Sequence, residues 1–204
     1  MDEPRDRGRR TFVALSGATL AAAAIGTSLE AQQAVAGQAR PASAPAGFTA
    51  AEWRTLDAVV ARIIPSESGS PGAREIGVMD FISRQLPHHM KELAAPLRAW
   101  LAELDRATVE HHPAIKAFIA LPAADQDSLL REFEHSDPAT GTSDAERQRL
   151  GLRSGIFGAL VQVTISGALS DPRYGGNRRG LGFRLIGFTS RHSWSPPYGE
   201  IDRG

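Results

Sequence analysis

The six histidines are the side chains best suited to bind a metal or transfer protons, but their spacing favours neither role. Four of them form the adjacent pairs His88-His89 and His111-His112. Neighbouring side chains on a helix diverge by about 100°, so an adjacent pair cannot chelate one ion as an i, i+4 pair can. His135 and His192 are isolated, and no HExxH motif occurs. The pattern predicts histidines in solvent or at helix ends.

Motifs for covalent catalysis and for nucleotide binding are also missing from the sequence. The 204 residues include no Cys, which excludes disulfides, iron–sulfur clusters, thiolate zinc sites and cysteine nucleophiles. The chain has no GxSxG, GxGxxG or GxxxxGK[ST] motif. Nothing singles out two carboxylates as a catalytic pair. The residues therefore predict no catalytic, cofactor-binding or metal site on this chain.

The overall charge argues against a protein that grips nucleic acid. Lys and Arg total 23 and are matched by 23 Asp and Glu, so the formal charge is zero with neutral histidines. A nucleic-acid-binding domain usually carries a clear basic excess. Apolar residues make up 42% of the chain, which is typical of a globular protein.

Residues 1–36 are predicted to be a twin-arginine signal peptide. An arginine-rich start contains the pair Arg9-Arg10, followed by Thr11, Phe12 and Val13. Phe12 also begins a run without charged residues that ends at Leu29. Its many Ala, Gly, Ser and Thr residues give the mild apolarity that is typical of this export route. We therefore expect a periplasmic protein.

Cleavage of this signal is predicted at a small-x-small pattern formed by Ala34 and Ala36. A retained membrane anchor is the alternative, because the uncharged run of 18 residues approaches the roughly 20 needed to span a bilayer. Its composition gives little insertion energy, which disfavours that alternative. Because the twin-arginine route moves folded proteins, the exported chain could already hold a partner.

Beyond the signal, the chain is predicted to be all-α, an irregular helical bundle around a long central helix with a Gly-rich C-terminal loop segment. Residues 37–47 read as a flexible linker of Pro, Ala, Ser and Gly. Residues 48–188 are predicted to form the helical domain, and residues 189–204 are predicted to be an irregular tail. The helical domain should position any functional residues of the mature chain.

The first helices are indicated by caps and by apolar spacing. A capping box at Thr49 and Glu52 opens a helix that ends before Pro65. Its predicted inner face is Trp53, Leu56, Val59, Val60 and Ile63. Residues 66–72 form a loop, and a single helix is predicted over 73–86. The inner side of that helix is predicted to be Val78, Phe81, Ile82 and Gln85.

The middle of the domain is predicted as three helices. One runs over 90–110 and is kinked by Pro96, and two shorter ones cover 115–121 and 123–135 on either side of Pro122. Residues 136–142 form a turn. A second capping box at Ser143 and Glu146 then opens the central helix, which extends to Leu169 and is apolar on more than one face.

The stretch from Ser170 to Phe188 contains five Gly and one Pro among 19 residues, and Tyr174 and Phe183 are predicted to be the anchors of a contact there. Four arginines accompany them. Turns, aromatics and arginines in this combination are typical of protein–protein contacts. The residue spacing is equally compatible with the alternative that this stretch only closes the end of the helical bundle.

Several motifs, taken in order, resemble the gluconate 2-dehydrogenase subunit 3 family, the small gamma subunit of FAD-dependent sugar and polyol dehydrogenases. The resemblance extends over most of the mature chain, and its most specific part is the DPxYGGN block. The matching blocks are Phe48-Thr49-x-x-Glu52, Arg62-Ile63-Ile64-Pro65, Pro71-Gly72-Ala73-Arg74-Glu75-x-Gly77-Val78, Phe81-Ile82, Ser170-Asp171-Pro172-Arg173-Tyr174-Gly175-Gly176-Asn177 and Leu185-Ile186-Gly187-Phe188. Phe183 departs from the expected Trp, and Ile76 from the commoner Ala.

The resemblance implies a non-catalytic partner in a larger complex. A large flavoprotein of the glucose–methanol–choline type would carry FAD and oxidise the sugar, and a multi-haem cytochrome c would accept the electrons and could associate the complex with the membrane. The small subunit would take the large one through the twin-arginine translocase. The residues expected at the partner interface are Pro71, Gly72, Asp171, Pro172, Tyr174, Gly175, Gly176, Asn177 and Phe183.

Two other functions remain open at the level of the sequence. One is a structural adaptor tethered to the membrane by an uncleaved N-terminus. The other is a self-sufficient periplasmic enzyme or ligand-binding protein that uses the Gly-rich segment as its site.

Overall fold

The computed structural model describes residues 43–188, and this part of the chain is all-α, as the sequence predicts. It contains seven α-helices and four 3₁₀ turns and, within the described range, no β-strand. The helices are α1 (Ala50–Ile63), α2 (Ala73–Ile76), α3 (Val78–Gln85), α4 (Lys91–His111), α5 (Ala123–Glu134), α6 (Asp144–Leu169) and α7 (Leu181–Leu185). The 3₁₀ turns are Phe118–Ala120, Pro138–Thr140, Pro172–Tyr174 and Arg178–Gly180.

The long helix α6 is central, which confirms the prediction, and it contacts all six other helices. Its buried residues recur at every third or fourth position and so define one face of the helix. They are Arg153, Phe157, Leu160, Thr164, Gly167 and Ala168. The opposite face remains exposed at Gly155, Gly158 and Ile165, so the apolar residues of α6 are not buried on all sides. Among the described helices α6 alone is long and apolar enough to cross a membrane, a test that core helices of soluble proteins also pass.

The core is built around Trp100 of α4, which is completely buried. Its ring meets that of Phe133 edge-on, with the centroids 5.4 Å apart. The indole Nε1 donates a hydrogen bond of 2.9 Å to the backbone carbonyl of Arg153 in α6. Because a buried indole N–H needs an acceptor, this bond fixes α4 against α6.

A buried group of charges joins three helices next to this tryptophan. Arg153 of α6 is only 6% exposed; its Nε donates to Glu103 of α4 at 2.7 Å, and its Nη1 donates to Glu132 of α5 at 2.8 Å. The guanidinium carbon also lies 4.6 Å from the centre of the Phe133 ring. Such a buried cation is tolerated because its donors are satisfied by carboxylates.

The Glu103 carboxylate is held in its charged form by this arrangement. Burial by itself would raise the pKa of Glu103, but hydrogen bonds and attraction from Arg106 and Arg153 outweigh it, so its pKa lies below the ordinary value. A depressed carboxyl pKa stabilises the folded state above the pKa of the unfolded chain, and that contribution is lost as the pH falls through the folded pKa.

The helix predicted over 73–86 is divided in two, which corrects the prediction. Gly77 ends α2 and begins α3 in the left-handed region, with φ at +86°. A Cβ at this position would lie 2.8 Å from Nε of Arg178, so the break makes room for a residue far along the chain. Because a new helix begins at Val78, the buried residues of α3 are Val78, Met79 and Ile82. Phe81 and Gln85, which were predicted on the inner side, are only half-buried.

The α-helix predicted over 115–121 is also wrong, because only the 3₁₀ turn Phe118–Ala120 forms there. Tertiary hydrogen bonds replace the helical ones. The Phe118 N–H donates to Asp105 Oδ1 at 2.9 Å, and Gln126 Nε2 donates to the carbonyls of Phe118 and Leu121, each at 3.2 Å. These bonds fix the turn so that the Phe118 ring is completely buried.

The two predicted capping boxes have different outcomes. At α1 the box is complete, since Thr49 Oγ1 accepts from the Glu52 N–H and Glu52 Oε2 accepts from the Thr49 N–H. At α6 the Ser143 side chain does cap the helix, but the Glu146 carboxylate accepts from the N–H and hydroxyl of Thr142 instead. Helix α4 continues through Pro96.

The segment from Ser170 to Phe188, called here the C-terminal segment, is not the predicted Gly-rich loop. It forms the turns Pro172–Tyr174 and Arg178–Gly180 and then α7. Two of its glycines lie against the last residues of α6. A Cβ on Gly176 would be 1.9 Å from the Gly167 carbonyl oxygen, and one on Gly182 would be 1.8 Å from that of Ala168. Only residues without a side chain permit this approach.

Asn177 fixes the same segment through its side chain and is completely buried. Its Nδ2 donates to the Ser170 carbonyl at 2.8 Å, and its Oδ1 accepts from the Gly182 N–H at 2.9 Å. Its backbone has a φ of +47°, a conformation that Asn adopts more readily than most residues. The end of α6 and the start of α7 are therefore linked by one amide.

The glycines of α6 and of the C-terminal segment should respond oppositely to replacement by Ala. Gly158→Ala should raise the free energy of unfolding by about 0.5–1 kcal/mol, because this helical position has no neighbour within 4 Å of the new Cβ. Gly182→Ala should lower it by about 3 kcal/mol, because the new Cβ overlaps the Ala168 carbonyl. Urea unfolding measures both values. A Gly182→Ala variant as stable as the wild type would contradict the described contact.

The buried charges predict a specific pH dependence. Glu103→Gln should lower the free energy of unfolding by about 3 kcal/mol at pH 7, because it leaves Arg153 buried with one carboxylate fewer. That difference should shrink as the pH falls below about 4.3, where the wild-type carboxyl itself begins to protonate on unfolding. Urea unfolding at several pH values measures it. The control is Glu110→Gln at an exposed partner of Arg106, which should cost below about 0.5 kcal/mol.

Candidate docking surface

The C-terminal segment exposes an unusual share of apolar surface. Of the seven exposed large apolar side chains among the described residues, four belong to this segment. They are Tyr174, Leu185, Ile186 and Phe188, and Ile186 is the most exposed at 58%. Tyr174 lies in the turn Pro172–Tyr174, which contacts α3, and Leu185 lies in α7, which contacts α2 and α6. Ile186 and Phe188 directly follow α7. These side chains are therefore presented by a packed part of the fold.

Arginines accompany this apolar group, and the structure holds them in different ways. The Arg173 guanidinium lies 5.0 Å from the centre of the Tyr174 ring. Arg178 forms an ion pair with Asp80 of α3. The Arg184 Nη1 donates to the Arg179 carbonyl at 2.8 Å. The segment thus combines apolar side chains with cations, a combination enriched at protein interfaces.

The backbone of the segment is strained at one of these arginines. Arg179 has a φ of +52°, and only it and Asn177 combine a side chain with a positive φ among the described residues. A non-Gly residue in this region costs on the order of 1 kcal/mol or more, so the surrounding structure must impose it. The carbonyl of this strained residue accepts the hydrogen bond from Arg184.

The interface residues predicted within this segment divide into an inner and an outer set. Gly176 and Asn177 are buried, and Gly175 and Phe183 are half-buried. The remaining three, Asp171, Pro172 and Tyr174, are exposed. The buried members hold the segment against α6, and only the exposed members can offer a side chain to a partner.

The other predicted interface residues, Pro71 and Gly72, lie at the start of α2. Gly72 is buried, and a Cβ there would lie 2.5 Å from the Ser66 backbone nitrogen. Burial alone would raise the pKa of Glu75, but hydrogen bonds from the Ser66 hydroxyl and the Gly72 N–H lower it. Because α2 contacts both α7 and the turn Arg178–Gly180, this block adjoins the C-terminal segment.

A surface cleft of about 520 Å³ is lined in part by residues of α1 and α2. Its lining includes Pro65 and Glu75, which stand in two of the blocks that resemble the family, and Ile119, which is 41% exposed. Most of its charges are internally paired, since Arg74 binds Asp57 at 2.9 Å and Arg62 binds Asp127. The sequence alone did not indicate this cleft, although Arg62 and Pro65 stand in a block that resembles the family.

The cleft has little chemistry of its own. The Ser66 hydroxyl donates to Glu75 at 2.7 Å, and the lining contains no histidine or lysine that could act as its base. Nowhere in residues 43–188 do three His, Asp or Glu side chains come together as metal ligands.

Some predicted sites cannot be placed by the structure. The export residues Arg9, Arg10 and Phe12 and the cleavage residues Ala34 and Ala36 lie outside the described residues. Conversely, sequence reasoning did not select Leu185, Ile186 and Phe188 as contact residues.

Comparison with known proteins agrees with the motifs. No curated protein and no solved structure gives a significant match to the chain. The sequence model described as gluconate 2-dehydrogenase subunit 3 matches residues 50–189, which includes all seven helices and the C-terminal segment. Because this match covers well over half of the sequence, the chain belongs to the gluconate 2-dehydrogenase subunit 3 family.

Proposed function

We propose that this chain is the non-catalytic small subunit of a periplasmic FAD-dependent sugar or polyol dehydrogenase complex, and that it is needed for twin-arginine co-export and maturation of the large flavoprotein subunit. The family match over residues 50–189 is the observation that carries the proposal, because the family is a subunit of a dehydrogenase complex. FAD belongs to the large subunit, and haem c to a cytochrome subunit that accepts the electrons.

Two features of this chain support that role. Arg9-Arg10 opens an export signal, so a large subunit without its own signal would need to remain bound to this chain during transport. The C-terminal segment exposes aromatic, aliphatic and cationic side chains on a packed base, as a contact surface requires.

Co-export sets a lower limit on the stability of the complex. Folding and transport take on the order of minutes, so the dissociation rate constant must be below about 10⁻² s⁻¹. With an ordinary association rate constant of about 10⁵–10⁶ M⁻¹s⁻¹, the Kd must be below roughly 10–100 nM. Such a complex needs a total buried interface of at least about 1,600 Å².

Replacing Arg9-Arg10 by Lys-Lys should leave both subunits in the cytoplasm, because the export route reads the arginine pair. Cell fractionation with immunodetection of each subunit measures the outcome. The matched control is Arg5→Lys with Arg7→Lys, which makes the same chemical change outside the pair and should leave export intact. A large subunit that still reaches the periplasm with the Lys-Lys variant would disprove co-export.

A tag on this chain should recover a flavoprotein, and the flavin absorbance and sugar oxidation with an artificial acceptor should belong to the complex. The mature chain expressed alone should show neither, because its described residues offer no platform for a dinucleotide. Absorbance spectra and activity of the two preparations make the comparison. Flavin or activity in the isolated chain would instead favour a self-sufficient enzyme, and the mass of the exported chain would reveal a retained anchor.

A further inference from the structure

We propose that the C-terminal segment is the docking surface for the large subunit, and that the matching face of that subunit is apolar at its centre with carboxylates around it. The inference rests on the proposed function, and it names the surface and the chemistry through which the small subunit holds its partner.

The apolar side chains supply the first argument. Leu185 is 40% and Ile186 58% exposed at the end of α7, a helix in which Gly182 is the buried residue. Phe188 continues the exposed group, and its ring meets Phe183 edge-on with centroids 5.1 Å apart. Exposed apolar groups of this size mark interaction surfaces more often than they serve a monomer.

Charge supplies the second argument and identifies the partner's chemistry. Residues 170–188 contain four arginines and one acidic residue, Asp171. Arg178 is paired with Asp80, and Arg173 approaches Asp171 at 3.6 Å. Within the described range, Arg179 and Arg184 form no ion pair. The guanidinium groups of Arg179 and Arg184 can therefore bind carboxylates on the docked surface, around the exposed apolar side chains.

Charge also disfavours two other occupants. A second copy of this chain docked about a two-fold axis would bring the same arginines together, and like charges at an interface are repulsive. The chain's own residues 189–204 contain two acidic residues, Glu200 and Asp202, but also Arg191 and Arg203. That tail offers no net negative charge to the segment.

A protein face suits the segment better than an anionic membrane because the cations are arginines in fixed positions. The four basic residues of the segment are all arginine, with no lysine. The Arg184 guanidinium is tied to the Arg179 carbonyl, and that of Arg173 lies over the Tyr174 ring. Pre-organised, planar donors of this kind favour bidentate contacts with specific carboxylates.

Two single substitutions test the proposal on the complex that is recovered with the tagged chain. Arg184→Glu should weaken association with the large subunit at least tenfold at low salt, and the difference should shrink at high salt because the lost attraction is screened. Ile186→Ser should weaken it about tenfold through faster dissociation, with little dependence on salt. Surface plasmon resonance with the purified flavoprotein subunit gives both rate constants.

Matched controls lie on other parts of the surface. Arg131→Glu repeats the charge reversal at an exposed arginine of α5, and Val109→Ser repeats the apolar truncation at a side chain of α4 that is 36% exposed. Both controls should bind like the wild type. Circular dichroism and thermal unfolding verify that all four variants keep the wild-type fold, as expected for exposed side chains.

Each other outcome identifies which idea fails. If the wild type binds the flavoprotein and both segment variants bind equally well, the docking surface is wrong and the proposed function stands. If the wild type itself does not bind, both are wrong. The proposal is also overturned if the variants only abolish self-association of this chain in light scattering, or only abolish binding to vesicles of anionic phosphatidylglycerol.

Discussion

The arrangement of the domain depends on the close approach of two backbones at the end of α6. The carbonyl oxygens of Gly167 and Ala168 occupy the space in which Cβ atoms of Gly176 and Gly182 would lie. This approach brings Asn177 inside, where its amide joins the Ser170 carbonyl to the first turn of α7. The position of α7, and with it of its exposed apolar residues, follows from the absence of two side chains.

The DPxYGGN block, the most specific part of the sequence, therefore contains residues with two different roles. Gly176 and Asn177 serve the fold, since they are buried and make its tightest contacts. Arg173 and Tyr174, which follow Asp171 in the block, are both exposed, and the Arg173 guanidinium lies over the Tyr174 ring. Closure of the bundle, one of the two interpretations that spacing left equal, describes the buried residues of the segment, and a contact surface stays a proposal for the exposed ones.

Sequence periodicity predicted the helices whose bonds are local and failed where distant residues supply the bonds. Helices α1, α4, α5 and α6 were found within one or two residues of their bounds. The break at Gly77 is an exception with a local signal, because its N–H donates to the carbonyls of Ala73 and Arg74 and a Gly in a helical pattern often ends a helix in this way. The error at Phe118 comes from a distant partner, Asp105. No local pattern reveals such partners. The buried Arg153 was missed for the same reason, because its carboxylates belong to two other helices.

The proposed co-export of a folded complex requires a contact surface that is formed before transport. Under the proposed co-export the contact would form in the cytoplasm and persist outside it, because the twin-arginine route carries folded protein. A chain without cysteine can complete its fold in either compartment, because no disulfide is required. Its stability must then come from packing and buried charges such as Arg153 with Glu103. The strained backbone of Arg179 persists only where the surrounding packing imposes it, because a flexible loop would relax to an unstrained conformation.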